Sequence, residues 1–215
     1  MIRLFCGYDA RESIGFHTFV HSVIKRASVQ VSFIPVSGLG GSNAFTLSRF
    51  LVPYLSGFTG RAIFMDASDM LMLADVKELA DCFDPACAVQ VVKHPDYQSQ
   101  HERKYIGTQM ECDQTNYRRK NWTSVMLMNC DHPAWIGMVP EVIKSATPIH
   151  WLTLSNLKDR EIGELDPAWN VLIDEGQDDT NAKVLHWTAG VPTFKHYQNA
   201  RRSKDWFCEM EEMAR

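Results

Sequence analysis

The clearest hydrophobic pattern lies between Arg61 and Val76, RAIFMDASDMLMLADV, where four apolar residues (Ala62 to Met65) run into two carboxylates, Asp66 and Asp69, before apolar sequence resumes at Met70. An apolar run this short and bounded this way predicts a strand buried on both faces in the middle of a parallel sheet. Upstream, Ile2 to Cys6 predicts a first strand. Asp9 and Glu12 form a capping-box-like start to a helix whose Phe16, Phe19, Val20, Val23 and Ile24 recur on one face. Val29, Val31 and Phe33 alternate with polar residues before Ile34 to Val36, which predicts a second strand. Strand, helix, strand in this order indicates an α/β layer architecture.

Further along, Ser37 to Asn43 reads as a glycine-rich loop, and Phe45 to Leu55 as a helix that Pro53 helps to stop. Val76 to Phe83 predicts a short helix and Ala88 to Val92 another buried strand. Lys93 to Lys120 is long and polar, and loops of this length in compact domains usually cover or line a site. Trp122 to Asn129 is strand-like, His132-Pro133 opens a helix toward Ser145, Ala182 to Leu185 is a last strand, and 199–215 is an amphipathic helix carrying Trp206, Phe207 and Met210.

Two like charges about 4 Å apart repel by roughly 4 kcal/mol at an effective dielectric near 20, so Asp66 and Asp69 at the rim of an apolar core call for a cation. A hard divalent ion with oxygen ligands, Mg²⁺ or Mn²⁺, suits them. The plainer alternative is that they end the strand and cap the next turn. His186 closes the last strand before a Gly and Pro turn, where rigid scaffold can hold a metal ligand, although a histidine so placed also serves as a hydrogen-bonded structural group. Arg49 shares the apolar face of its helix: either its head reaches water or it is steered toward an anion. His17 and His21 lack the intervening acid of an HExxH arrangement and read as border or surface residues. The glycines of 37–43 lack the spacing that cradles a phosphate, and the basic Tyr117 to Lys120 can meet phosphate or form a solvated face.

Composition narrows the field. The 215 residues suit one domain, with ordinary hydrophobic (45%) and charged (22%) content. A net charge of −4 argues against a nucleic-acid binder working by bulk electrostatics. No apolar run is long enough for a membrane span and the first residues lack a signal-peptide pattern, so a cytoplasmic location is expected. Six scattered cysteines without a CxxC pair predict reduced, mostly buried thiols.

FCGYDARE, FTLSRFLVPYL, RAIFMDASDMLMLADVKEL, VVKH, RKNWTSVMLMNCDHP, IGELDPAWNVL and VLHWTAGVP follow one another in an order and spacing that resembles the GT-A glycosyltransferases, specifically small bacterial or phage proteins similar to glycosyltransferase family 8. The resemblance implies an α/β, Rossmann-like, mostly parallel central sheet flanked by helices in a single domain. It also implies a nucleotide-sugar donor, usually a UDP-sugar, a carbohydrate or other hydroxyl-bearing acceptor, and Mn²⁺ (or Mg²⁺) bound by Asp66, Asp69 and His186. These enzymes carry D-x-D where this chain has D-x-x-D, so both acids reach one ion only if the strand has begun to turn at Ala67. Ser68 then stands as an outer ligand through water. By the same resemblance Phe5, Gly7, Tyr8 and Asp9 hold base and ribose, Arg49 turns toward the donor, Trp122, Thr123, Ser124 and Asn129 form a sugar-contacting loop, and Gly190 belongs to the donor site. Retention of anomeric configuration is implied as well. Two other readings compete: a nucleotidyltransferase on a Rossmann-like fold, and a catalytically silent nucleotide-sugar binder.

Overall fold

A computed structural model describes residues 1–215. In chain order the elements are β1 (Ile2–Gly7), α1 (Ser13–Arg26), β2 (Val31–Val36), α2 (Val52–Leu55), β3 (Arg61–Met65), β4 (Met70–Met72), α3 (Val76–Asp81), β5 (Val89–Val92), β6 (Arg103–Lys104) and β7 (Cys112–Asp113), followed by β8 (Val125–Asn129), α4 (Pro140–Ser145), α5 (Pro148–Leu152), β9 (Ile162–Leu165), β10 (Val171–Leu172), β11 (Val184–His186) and α6 (Ser203–Met213). Six strands form the central sheet in the order β2-β1-β3-β8-β5-β9. The pairs β1–β2, β1–β3 and β5–β9 are parallel, while β8 runs antiparallel to both its neighbours. The sheet is therefore mostly parallel, with helices on its two faces.

The two-residue period of the strands divides the core into layers. Leu4, Cys6, Ile63 and Met65 pack with Phe19 and Val23 of α1 on one face; Phe5, Ala62 and Phe64 pack with Phe50, Trp135 and Trp151 on the other. A smaller sheet, β10-β11-β4, continues from the end of β3 and buries Leu71, Leu185 and Trp187 against Trp206 of α6. Carboxylates closing β3 thus fall at the junction of the two sheets. That junction positions the site.

Several local expectations need correction. The span 45–55 is not one helix: Ser48–Leu51 is a 3-10 turn, and Pro53 lies in the first turn of α2, where its missing N–H costs nothing, so it opens that helix instead of stopping it. After His132 only the turn Pro133–Trp135 forms; Gly137, at φ 83°, breaks the path before Pro140 begins α4. Trp122–Ser124 is a 3-10 turn leading into β8. No capping box exists at α1, because Glu12 turns inward with Oε1 buried and unpartnered. All six cysteines are free, yet only Cys6 and Cys130 are buried.

Candidate active site

The DASD segment has a specific backbone reason for presenting both acids together. Ala67 adopts φ 67°, Ser68 N–H donates to the Asp66 carbonyl at 2.8 Å, and Met70 N–H to the Ala67 carbonyl at 2.9 Å, so the chain turns immediately after β3. A left-handed alanine costs on the order of 1 kcal/mol and persists only where its surroundings hold it. Holding it here are the pairing of the Asp66 N–H with the Ser124 carbonyl (3.0 Å) and of the Trp187 N–H with the Asp69 carbonyl (2.9 Å). The antiparallel register of β11 on β4 sets His186 opposite Met70, the residue after Asp69. One ligand atom from each of Asp66, Asp69 and His186 then lies within 4.8 Å of the others, and all three residues are buried.

Electrostatics within the trio are strained without a cation. Burial raises the Asp66 carboxyl, Arg49 draws it back and the Asp69 charge adds to the rise, leaving it at about 6. Arg49 Nη1 is 2.8 Å from Asp66 Oδ1, a charge contact without hydrogen-bond alignment, and Asp66 Oδ1 and Asp69 Oδ1 are both buried with no hydrogen-bond partner. For His186 burial works against the charged ring, but the Asp69 carboxylate, with Oδ2 3.5 Å from Nε2, outweighs it and raises the pKa. Glu12, behind the pair, is raised well above the carboxylate range by burial and then by the charges of Asp69 and Asp9. Orphaned carboxylate oxygens and one imidazole nitrogen fit a hard divalent ion such as Mn²⁺ or Mg²⁺.

Asn170 determines which nitrogen of His186 is available. Its Nδ2 donates to the Asn121 carbonyl and to His94 Nε2, both at 3.1 Å, which leaves Oδ1 to accept from His186 Nδ1 at 2.8 Å. The proton is therefore held on Nδ1, and the Nε2 lone pair faces Asp69 and the cavity. Gln177 Nε2 lies 3.3 Å from His94 Nδ1, but a neutral imidazole accepts at one nitrogen only, so with Nε2 receiving Asn170 this second amide is a contact and not an accepted bond. Burial, with the His186 charge adding to it, lowers the His94 pKa to about 4.

A cavity of about 360 Å³ opens beside the trio. Of the residues singled out by sequence, Arg49, Asp66, Asp69, Ser124 and His186 line it, together with Thr123. Others do not. Phe5 is core; Gly7 packs so close to Phe45 that a Cβ would lie 2.5 Å from its ring; Tyr8 meets Phe16 edge-on. Asp9 accepts from Arg11 and from the Ala44 N–H, and the Arg11 hydrogen bond holds its carboxyl down to about 2. These contacts fold the segment after β2 across the end of β1, so Ser42, Asn43 and Thr46 line the cavity where the first-strand loop was expected. Asn129 is opposite Arg61 at the far end of β3, because β8 runs away from the site, and it donates to the Pro85 carbonyl. Trp122 is outside the cavity beneath the Arg119 and Lys93 cations; Gly190 gives room to Tyr197; Ser68 is fully buried with its hydroxyl unpartnered. Arg49 is likewise not free to turn: Nε binds the Thr46 carbonyl at 3.1 Å and Nη1 the Thr123 carbonyl at 2.9 Å.

The 93–120 segment supplies Lys104, Tyr105, Asp113, Gln114, Thr115, Tyr117 and Lys120 to the cavity lining. It is anchored by Glu175, which accepts from Tyr97 Oη, Ser99 Oγ and the Gln100 N–H, and by Tyr105 N–H donating to the Ala189 carbonyl at 2.7 Å. Asn170 and Asn43 carry no motif in the sequence, whereas Lys120 ends the basic Tyr117 to Lys120 run that can meet phosphate. The nearest signal for Asn170 is an amide set directly before an apolar run, WNVLI.

The architecture is that of the GT-A glycosyltransferases. The chain superposes on the bifunctional glycosyltransferase WbbM with a TM-score of 0.69 at 14% identity, spanning 99% of this chain and about half (51%) of WbbM. On the galactosyltransferase LgtC, solved with donor and acceptor sugar analogues, the TM-score is 0.64 at 11% identity, covering 98% of this chain and 96% of LgtC. A glycosyltransferase involved in glycosylating the major capsid of PBCV-1 matches with a TM-score of 0.57 at 13% identity over 100% of this chain and 99% of its own. No family model matches the chain. Its sequence is 36% identical to Protein CDI of Arabidopsis thaliana over 229 aligned positions, 98% of this chain and 86% of that protein, and the chain belongs to the family of Protein CDI.

Proposed function

We propose that this protein is a metal-dependent glycosyltransferase, a single GT-A domain over residues 1–215, that moves a sugar from a nucleotide-sugar donor, a UDP-sugar, to a hydroxyl-bearing acceptor with retention of anomeric configuration. The observation that carries this reading is the convergence of buried Asp66, Asp69 and His186 at the wall of a cavity, with orphaned carboxylate oxygens that call for a divalent ion. The fold shared with WbbM and LgtC supports it. No helix is long and apolar enough to cross a membrane, and six free thiols favour a reducing compartment, the cytoplasm.

Asp66, Asp69 and His186 Nε2 would hold Mn²⁺ or Mg²⁺. Such an ion supplies charge stabilisation to a departing diphosphate without any proton transfer. Arg49 acts on Asp66, fixing its carboxylate from a site tied to the Thr46 and Thr123 carbonyls, instead of reaching the donor itself. Asn170 keeps the His186 proton on Nδ1, away from the ligand position. The anchored 93–120 segment lines the cavity. Asp113 is the remaining acid along the cavity, and it is exposed and bound to Arg103 at 2.8 Å; retention rests on the family resemblance alone.

Incubating the purified protein with a panel of nucleotide sugars and Mn²⁺ tests the reading. Free UDP released only when metal is present is the expected result; pyrophosphate release would make the protein a nucleotidyltransferase, and binding without turnover a silent binder.

A further inference from the structure

The cavity lining carries three cations, Arg49, Lys104 and Lys120. Lys120 is 5% exposed, and its Nζ donates to two neutral acceptors, Gln114 Oε1 at 3.0 Å and the Thr115 carbonyl at 2.6 Å. Lys104 Nζ reaches Ser42 Oγ at 3.4 Å and lies 5.1 Å from the centre of the Tyr105 ring. Neither ammonium has a carboxylate within 4 Å, whereas the third cation of the cavity, Arg49, is spent on Asp66. An ammonium withdrawn from water without a counter-ion is unfavourable, and such groups are ordinarily paired or neutralised. Burial and the nearby Lys104 charge together lower the Lys120 amine to about 8, the behaviour of a cation whose partner is missing.

We infer that Lys104 and Lys120, which the 93–120 segment brings to the cavity shared with Asp66, Asp69 and His186, form an oxyanion-binding wall that takes a phosphate or carboxylate group of a substrate. Charge accounting supports a substrate with an anion to place there. The three carboxylates of the lining, Asp66, Asp69 and Asp113, are offset by Arg49 and a divalent ion, and the two lysines then leave the cavity with about two positive charges. The diphosphate of a nucleotide sugar carries about the opposite charge. The same wall suits an acidic group on the acceptor. The first source rests on the donor proposed above; the second does not require that donor to be a UDP-sugar.

Calorimetric titrations at saturating Mn²⁺ decide the matter, comparing wild type with Lys120→Met and Lys104→Met and using UDP, uridine, inorganic pyrophosphate and glucose 6-phosphate as probes. Methionine keeps the stem and removes the charge, and thermal unfolding checks that each variant folds. If the wall serves the donor, UDP and pyrophosphate bind at least tenfold more weakly to the variants while uridine is unchanged. If it serves the acceptor, UDP is unchanged and glucose 6-phosphate binding to the UDP-loaded protein falls at least tenfold. Should Lys120→Met fail to fold, Lys104→Met alone decides by the same criteria. Unaltered binding of all anionic probes in a folded variant overturns the inference, even where UDP-sugar turnover upholds the proposed function. Conversely, charge-dependent pyrophosphate binding in a protein that turns over no nucleotide sugar upholds the inference and removes the proposed function.

Discussion

Replacing Asn170 with alanine removes the group that fixes the His186 tautomer without touching any of the three residues of the trio. The wild-type amide gives two donations, to His94 Nε2 and the Asn121 carbonyl, and accepts one from His186 Nδ1, all in a fully buried setting. At about 1 kcal/mol for each hydrogen bond, Asn170→Ala should lose about 3 kcal/mol of folding stability. Its second effect is separate. With no acceptor for the Nδ1 proton, His186 samples the other tautomer and ring orientation, and loss of such an outer hydrogen bond typically costs 10–100-fold in metal affinity, or about 1.4–2.7 kcal/mol. Calorimetric titration of Mn²⁺ measures this directly, and urea unfolding of the metal-free protein measures the first effect. Asn170→Asp restores the acceptor but not the donations, so it should recover most of the Mn²⁺ affinity while staying less stable than wild type. Wild-type Mn²⁺ affinity in a folded Asn170→Ala variant would refute the reasoning.

The other predictions follow from the same geometry. Asp69→Asn should abolish Mn²⁺-dependent release of UDP from a donor while circular dichroism and thermal unfolding show an intact fold; wild-type rates would remove Asp69 from the site. Ala67→Val, which forces a β-branched residue to φ near 67°, should cost about 2 kcal/mol or more in urea unfolding and weaken Mn²⁺ binding, whereas Ala67→Gly should keep both, since glycine adopts that backbone freely. For His94, the folded pKa of about 4 lies below an unfolded value near 6.5, so the unfolded chain binds the extra proton between those values. Stability is then fully present above about pH 6.5 and falls as pH drops toward 4, by about 2 kcal/mol at pH 5. Asp66, held up at about 6, acts in the opposite sense over the same window, so the quantity to measure is the difference between wild type and His94→Gln in urea unfolding at pH 7.5 and 5. A difference independent of pH would contradict a buried neutral His94.

Those parts of the site that depend on strand ends were legible in the sequence. An apolar run stopping at Asp66, the need for a turn at Ala67 before Asp69 can join it, and an imidazole closing the last strand are local properties of short segments, and the structure brings the three side chains together. What depended on strand direction was not legible. Trp122 to Asn129 reads equally well either way, and only the antiparallel pairing of β8 with β3 reveals that Ser124 lies beside Asp66 while Asn129 lies at the other end. The closing of the β1 end by Asp9 and the Ala44 N–H joins residues 35 apart, and the Asn170 bridge joins residues 76 and 16 apart. Polar partners at such separations leave no periodicity. Lys120 shows the same limit from the side of charge: within Tyr117-Arg118-Arg119-Lys120, Arg118 is solvated, Arg119 pairs with Asp159, and Lys120 alone is buried against the cavity.

The measurement closest to the central claim is a crystal structure grown with Mn²⁺ and UDP, with anomalous scattering used to locate the ion. The account predicts one manganese peak about 2.2 Å from an oxygen of Asp66, an oxygen of Asp69 and Nε2 of His186, with diphosphate oxygens completing its coordination. A peak held by other residues, or UDP bound in the cavity with no ion between it and the two carboxylates, would contradict it.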